Sequence, residues 1–275
     1  MVTMMFNGME GIMKIARFEA NRQVHYGLVD GDVIAQIEGD VFGDFSPTGK
    51  THSLQAVKLL APVTPTQMFG PGVNFEAHLA MASAITGNAE MLPTPEPWLK
   101  AINSLSNPGA PIVSPYDSKV GVEYEGECIA IIGATTRRVD PDDAWNRILG
   151  YTCGNDVSER DWQVNDYSMW RAKGADTFGP IGPWIETDFD PRAGGDMIVR
   201  VDGNEVERVT TADMYYDFGA LVSFISQHVT LKPGDAIWSG TSGHPETLHA
   251  GQVVEVEVTG IGVLSNPVVA EQESD

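Results

Sequence analysis

The chain has 275 residues, 38 of them acidic and 17 basic, for a formal charge of -21 at pH 7. That length can bury a large core in one domain, or in a small domain beside a large one. The charge argues against nucleic acid or an anionic membrane as partner, because phosphate recognition needs clustered Lys and Arg.

A hydrophobic content of 42% is ordinary for a soluble globular protein. The 29 glycines and 17 prolines favour a β-rich fold over a helix bundle. Cys128 and Cys153 are the only cysteines, too few for a disulfide framework. No apolar run reaches the roughly 18 residues of a membrane span. No basic segment followed by an apolar one opens the chain as a signal peptide would, so a cytoplasmic location is expected.

Residues 1–12 precede the first convincing strand and are expected to be a disordered lead. Residues 14–18 alternate as a strand does, and 25–29 and 33–37 flank Asp30-Gly31-Asp32, a hairpin signal. Residues 13–65 are thus expected to form a small N-terminal β domain, with 66–270 as the main domain and 271–275 as a tail. Residues 43–51 resemble a phosphate loop at a glance. They place five residues between the glycines instead of four and lack a strand-to-helix context, so that reading is rejected.

Gly70-Pro71-Gly72 breaks a strand and leads into a helix predicted over 75–84, with Asn74 at its N-cap and His78 on its first turns. A lone helical histidine is more often a packed or surface residue than a site residue. Residues 85–98, with Gly87 and three prolines, are expected to be a loop that could act as a lid. A strand is expected over 111–114.

The segment Glu123-Tyr124-Glu125-Gly126-Glu127 runs into the apolar Cys128-Ile129-Ala130-Ile131-Ile132. On a strand, Glu123, Glu125 and Glu127 would share a face. Three carboxylates there repel each other unless something positive, such as a divalent cation, lies between them. The alternative is a solvated acidic face on an edge strand. Residues 141–150 are predicted as a helix, with Pro141 at its start and Gly150 just past its end.

Downstream, Asp156, Arg160 and Gln163 fall within eight residues, and the last two share a face if that segment is helical. Glycines and prolines crowd around Lys173, which suggests backbone packed tightly against a site. A strand pair is predicted over 198–201 and 206–209. A helix over 216–229 would bury Phe218, Leu221, Val222 and Ile225. A last strand pair spans 253–258 and 263–268.

Together, Tyr124-Glu125-Gly126-Glu127, Asn155-Asp156-Val157-Ser158-Glu159-Arg160-Asp161, Lys173 through Pro180, and Pro233-Gly234-Asp235 through Thr241 resemble the fumarylacetoacetate hydrolase family. The resemblance spans about residues 66–269 in unbroken order. It implies a β-rich α+β fold with a mixed β-roll or sandwich catalytic domain, a homodimer, and a small-molecule oxo acid substrate. It also implies Mg²⁺ or Mn²⁺ held by Glu125, Glu127 and Asp156, with Glu123 an acid that is not a ligand. By the same matching, Arg160, Gln163, Lys173 and Thr241 would hold the substrate's carboxylate and oxo groups, and His78 would activate water.

Such a site can chelate a 2-oxo acid and stabilise the enolate left when a C–C bond between two carbonyls is hydrolysed. The substrate would be a β-diketo acid, either an acylpyruvate or a 2,4-dioxo sugar acid. Two departures stand out. Met81 occupies the place where hydrolytic members carry a glutamate one turn after the histidine, and Ser242 follows Thr241 where a proline is common. Glu76 is a poor substitute for that glutamate, Glu90 could reach in from the lid, and His244 could face the substrate. Met81 moves weight toward an alternative with the same metal site: decarboxylation, isomerisation or hydration of a 2-oxo dicarboxylic acid in aromatic degradation. A binding protein that kept the site and lost turnover is the third reading.

Overall fold

The computed structural model describes residues 13–79, 83, 90–242 and 245–273. The strands of the N-terminal part are β1 (Lys14–Ala20), β2 (Gln23–Asp30), β3 (Val33–Gly39), β4 (Phe45–Ser53) and β5 (Lys58–Leu60). Next come β6 (Met68–Pro71), β7 (Pro97–Lys100), β8 (Leu105–Ser106), β9 (Ile112–Ser114), β10 (Val122–Glu123) and β11 (Gly126–Ile132). Helix α1 (Pro141–Ala144), strand β12 (Ile148–Asn155), helix α2 (Arg160–Asn165) and strand β13 (Gly179–Glu186) follow. The C-terminal part holds β14 (Asp196–Val201), β15 (Asn204–Thr210), α3 (Phe218–Ser226), β16 (Ala236–Trp238), β17 (Thr247–Leu248), β18 (Val253–Val258) and β19 (Gly262–Ala270).

The large mixed sheet runs β4-β3-β2-β1-β13-β12-β11-β16-β6-β7, with β5 joined to β1 and β8 to β13. A second sheet runs β15-β14-β18-β19-β9, and β10 pairs with β17 alone. This is the β-rich α+β architecture expected, with its helices short. The N-terminal meander is continuous with the main sheet, because Lys14 of β1 sits opposite Glu186 of β13. Its β2–β3 hairpin turns at Gly31, as Asp-Gly predicts, with Asp30 opposite Val33. Residues 45–51 of the rejected phosphate loop lie in β4.

Strand β11 is central, and every residue in it is buried. Its side chains alternate between two cores, as a pleated strand requires. Cys128, Ala130 and Ile132 pack with Phe218, Leu221 and Val222 of α3 and with Val256 of the second sheet. Ile129 and Ile131 face Ile15, Ile185 and Trp238 on the other side. Covered on both faces, the strand reads as a continuous apolar run. Among the described residues no helix is long and apolar enough to cross a membrane.

Three local expectations change. Helix α1 stops at Ala144, a 3₁₀ turn carries Trp145–Arg147, and β12 starts at Ile148. Gly150 is therefore a strand glycine, and a Cβ there would lie 2.4 Å from the Glu186 carbonyl oxygen. The helix predicted over 75–84 is present at 76–79 and 83, with 80–82 and 84 outside the described residues, but the Asn74 side chain is engaged elsewhere. Its amide donates to the Tyr216 and Ser239 carbonyls and accepts from the Tyr216 N–H, tying three segments together. Trp98 belongs to β7, which shortens the expected loop, and residues 84–89 of that loop lie outside those described.

Candidate active site

The acidic segment does not continue as one strand. β10 ends at Glu123 and β11 begins at Gly126, so Tyr124 and Glu125 bridge the two. The Asn155 side-chain oxygen accepts from the Glu125 N–H at 2.9 Å, and the Asp156 N–H donates to the Glu125 carbonyl at 2.8 Å. These bonds carry Asp156, just past the end of β12, to the side of the two glutamates. Gly126 lets the break lie against the second sheet, since a Cβ there would meet Val199 Cγ2 at 2.4 Å.

The result is a buried triad. Glu125, Glu127 and Asp156 are 4%, 2% and 2% exposed. Carboxylate oxygens from all three lie within 4.8 Å of one another. Glu123 points elsewhere and accepts from Arg160 Nε at 2.6 Å.

Two lysines enter the triad. Lys173 Nζ donates at 2.6 Å both to Glu125 Oε2 and to Asp156 Oδ2. Its backbone is fixed by close packing, because a Cβ on Gly174 would lie 2.1 Å from the Trp170 carbonyl oxygen. This is the tight packing that the local glycine density predicts. Lys100 Nζ donates to Asp156 Oδ1 at 2.5 Å and to the Lys173 carbonyl at 2.6 Å. Lys100 carries almost no signal in the sequence; it is a lone lysine closing the apolar stretch Trp98-Leu99-Lys100, and it is absent from the residues expected at the site. The Trp98 ring faces both ammonium groups, at 5.7 Å from Lys100 and 5.2 Å from Lys173.

The electrostatics leave one carboxylate without a cation. Burial would raise the Glu125 carboxyl, but Lys173 and Arg160 outweigh it and hold Glu125 well below the usual range. Burial pushes Glu127 well above that range, and neighbouring Asp156 and Glu125 push it further. Its hydrogen bond comes from the Gly240 N–H at 2.7 Å. With Glu127 ionised, as a cation's ligand would be, Glu123, Glu125, Glu127 and Asp156 set four negative charges against three positive ones on Lys100, Lys173 and Arg160. Three buried oxygen donors with a residual negative charge fit a hard divalent cation such as Mg²⁺ or Mn²⁺.

A small cavity opens onto the triad, lined also by His78, Trp98, Gln163, Lys173, Gly240 and Thr241. His78 is buried on the helical segment 76–79, close enough for its charge to act on Glu125. Gln163 follows Arg160 by one turn of α2 and accepts from Arg160 Nη1 at 2.8 Å, on the shared face predicted. Arg160 Nη2 donates to Glu125 Oε1 at 2.6 Å, so the guanidinium braces the triad from behind. The Thr241 hydroxyl donates to Glu207 Oε1 at 3.2 Å. Glu207 and Lys100 contribute polar contacts that no local sequence pattern marks. Glu76 and Glu90 are exposed, and Met81 and His244 lie outside the described residues.

Residues 67–269 match the fumarylacetoacetate (FAA) hydrolase C-terminal family, which is more than half of the chain. The chain belongs to the fumarylacetoacetate hydrolase family. Residues 13–62 match a second family, Rv2993c-like, N-terminal. Protein Rv2993c of Mycobacterium tuberculosis is 36% identical over 268 residues, covering 94% of this chain and 98% of that one. The crystal structure of 5-carboxymethyl-2-hydroxymuconate delta-isomerase from Mycobacterium smegmatis superposes with a TM-score of 0.86 at 36% identity, covering 94% of this chain and all of that one. Maleylpyruvate hydrolase from Sphingobium sp. SYK-6, solved with manganese(II) and pyruvate, gives a TM-score of 0.77 at 27% identity, with 94% of this chain and 100% of that one covered. Hydrolases and isomerases thus share this fold and family.

Proposed function

We propose that this protein is a divalent-metal-dependent hydrolase that cleaves the C–C bond of a β-diketo acid, an acylpyruvate or a 2,4-dioxo sugar acid. The observation that carries the reading is the buried triad of Glu125, Glu127 and Asp156 bridged by Lys173, with His78 lining the same cavity. The manganese and pyruvate held by maleylpyruvate hydrolase support it.

Glu125, Glu127 and Asp156 would hold the cation, which when bound supplies Lewis acidity to the oxygens of a 2-oxo acid. Lys173 would face the oxygen on which negative charge grows as the C–C bond breaks, its own charge being retained because Asp156 and Glu125 outweigh burial. His78 would take a proton from the attacking water, a task suited to an imidazole near pH 7. Gln163 and Thr241 would orient the oxo acid, and Arg160 would steady Glu125. The homodimer implied by the family likeness belongs to the same proposal, and sedimentation analysis tests it.

The isomerase of M. smegmatis and the presence of Met81 favour a second reading, tautomerisation or decarboxylation at the same metal site. His78→Ala separates the two. Under the hydrolase reading, hydrolysis of a diketo acid falls by a factor of about 100 or more, while Mn²⁺ affinity and enol–keto exchange are retained. Undiminished hydrolysis in this variant would remove His78 as the base.

A further inference from the structure

Strands β6 and β16 pair in parallel and end at Pro71 and Trp238, so the chain leaves both on the same side, toward the cavity. One departing stretch carries Asn74 and then His78, and the other carries Ser239, Gly240 and Thr241. Asn74 joins them. It is 1% exposed, and its Nδ2 donates to the Ser239 carbonyl at 2.8 Å and to the Tyr216 carbonyl at 2.9 Å. Its Oδ1 accepts from the Tyr216 N–H at 2.7 Å, and its backbone carbonyl accepts from the Tyr215 N–H at 2.8 Å. Both amide protons are spent within the fold, which leaves neither for a substrate. Gly240, at a φ of 79°, lies close against Asn74; a Cβ there would approach the Asn74 Cβ to 3.1 Å.

The two stretches depend on Asn74 unequally. Ser239 and Gly240 have anchors of their own on β11. The Ser239 N–H donates to the Cys128 carbonyl at 2.9 Å, and Ser239 Oγ accepts from the Cys128 N–H at 3.1 Å. The Gly240 N–H donates to Glu127 at 2.7 Å. Tyr215 and Tyr216 lead into α3, whose Phe218, Leu221 and Val222 are packed in the core. Asn74 therefore ties its own stretch to two fixed references, with Phe75 packed in the core beside it. His78 follows four residues on, and its N–H donates to the Phe75 carbonyl at 3.1 Å. The backbone that Asn74 holds thus sets where the imidazole meets the cavity.

We propose that Asn74 is a positioning residue for the water-activating step, placing His78 beside the triad without touching substrate or cation. The triad keeps its own supports, so loss of the Asn74 amide displaces the imidazole and not the cation site. This rests on the reading of His78 as the base in diketo acid hydrolysis and adds the group that places it. A misplacement of about 1 Å in a reacting group can cost about 100-fold in rate.

The test compares Mn²⁺-loaded wild type, Asn74→Ala, His78→Ala and the double variant in two reactions, hydrolysis of 2,4-dioxopentanoate and enol–keto exchange of oxaloacetate. Asn74→Ala should lower kcat for hydrolysis by about 10–100-fold, with KM and Mn²⁺ affinity changed by less than about threefold. Exchange should be retained, as in His78→Ala. In the His78→Ala background, Asn74→Ala should cost less than about twofold more, because the two residues act as one unit. A merely structural asparagine would lower both reactions and add its loss to that of His78→Ala, and that result would overturn the proposal. Asn74→Ser keeps a hydroxyl donor and should give an intermediate kcat, with circular dichroism checking that each variant is folded. Failure of both variants to fold would overturn the proposal by making Asn74 a requirement of folding. Undiminished hydrolysis in Asn74→Ala, with His78→Ala impaired, would overturn it and leave the base reading intact. No hydrolysis by the wild type, or undiminished hydrolysis in His78→Ala, would overturn the reading on which it rests and the proposal with it.

Discussion

Lys100 Nζ and Asp156 Oδ1 lie 2.5 Å apart, and the lysine side chain has no exposed surface. Burial lowers the Lys100 pKa more than Asp156 raises it, so the ammonium is kept in place at a cost that Asp156 only partly offsets. The same nitrogen binds the Lys173 carbonyl. One buried cation thereby fixes both an acid of the triad and the backbone of the lysine that bridges it.

Replacing Lys100 by Met keeps an apolar stem and leaves Asp156 with Lys173 as its one remaining ammonium partner. Breaking a buried pair costs up to about 3–5 kcal/mol when the remaining charge has no partner, and the Lys173 contact sets this case at or below the lower end. In EDTA, urea denaturation of Lys100→Met should show a loss of that order. Mn²⁺ should recover part of it, because a bound cation neutralises Asp156, so the rise in Tm on adding Mn²⁺ should be larger in the variant than in the wild type. Equal Tm shifts would contradict this role.

Glu127 gives a pH dependence of definite sign. Its folded pKa is raised above the ordinary 4.5. The folded state therefore binds more protons than the unfolded chain above that pH. The associated stability is fully present below 4.5 and is lost as pH rises through the folded value. A tenfold difference in proton affinity between the folded and unfolded chain is worth about 1.4 kcal/mol. In EDTA, the stability of wild type relative to Glu127→Gln should fall as pH rises from 4.5. Glu125, lowered mainly through Lys173 and Arg160 against the pull of burial, acts oppositely, losing stability as pH falls, but it is present in both proteins. A stability difference that does not vary with pH would refute the assignment.

The same substitution should weaken Mn²⁺ binding by about 100-fold or more, beyond the 10–100-fold typical of an outer-shell partner. Isothermal titration gives the number. A loss of less than about tenfold would place Glu127 outside the ligand set.

Gly174→Ala tests how the backbone positions Lys173. The added methyl would meet the Trp170 carbonyl oxygen at 2.1 Å, a backbone atom that cannot rotate away. Overpacking of this kind costs about 1–3 kcal/mol. Turnover should fall further than that stability loss explains, because Lys173 Nζ would leave its 2.6 Å contacts with Glu125 and Asp156. Normal turnover in a destabilised variant would mean that the site does not need this register.

Much of this site is legible in the sequence because its parts sit in short, chemically unusual runs. Glu125 and Glu127 precede an apolar strand, and Asp156, Arg160 and Gln163 fall within eight residues. Strand β18 shows its alternation directly. What escaped depends on long-range packing. Lys100 resembles any polar strand end until β7 is seen to place it against Asp156, 56 positions away. Gly150 marks a helix end by local rule, yet its real constraint is the Glu186 carbonyl on a neighbouring strand. Asn74 has the chemistry of a cap, but carbonyls at 216 and 239 compete for its amide and win. Arg160 looks like a grip for a substrate carboxylate, and in the fold Glu123 and Glu125 already occupy it.

The most direct test of metal-dependent hydrolysis follows the diketone absorbance of 2,4-dioxopentanoate in the presence of Mn²⁺ or of EDTA, with products identified by NMR. Absorbance should be lost only with the metal, giving pyruvate and acetate in equal amounts. An intact diketone, with oxaloacetate losing CO₂ or exchanging between enol and keto forms under the same conditions, would contradict hydrolysis and make the protein a decarboxylase or tautomerase.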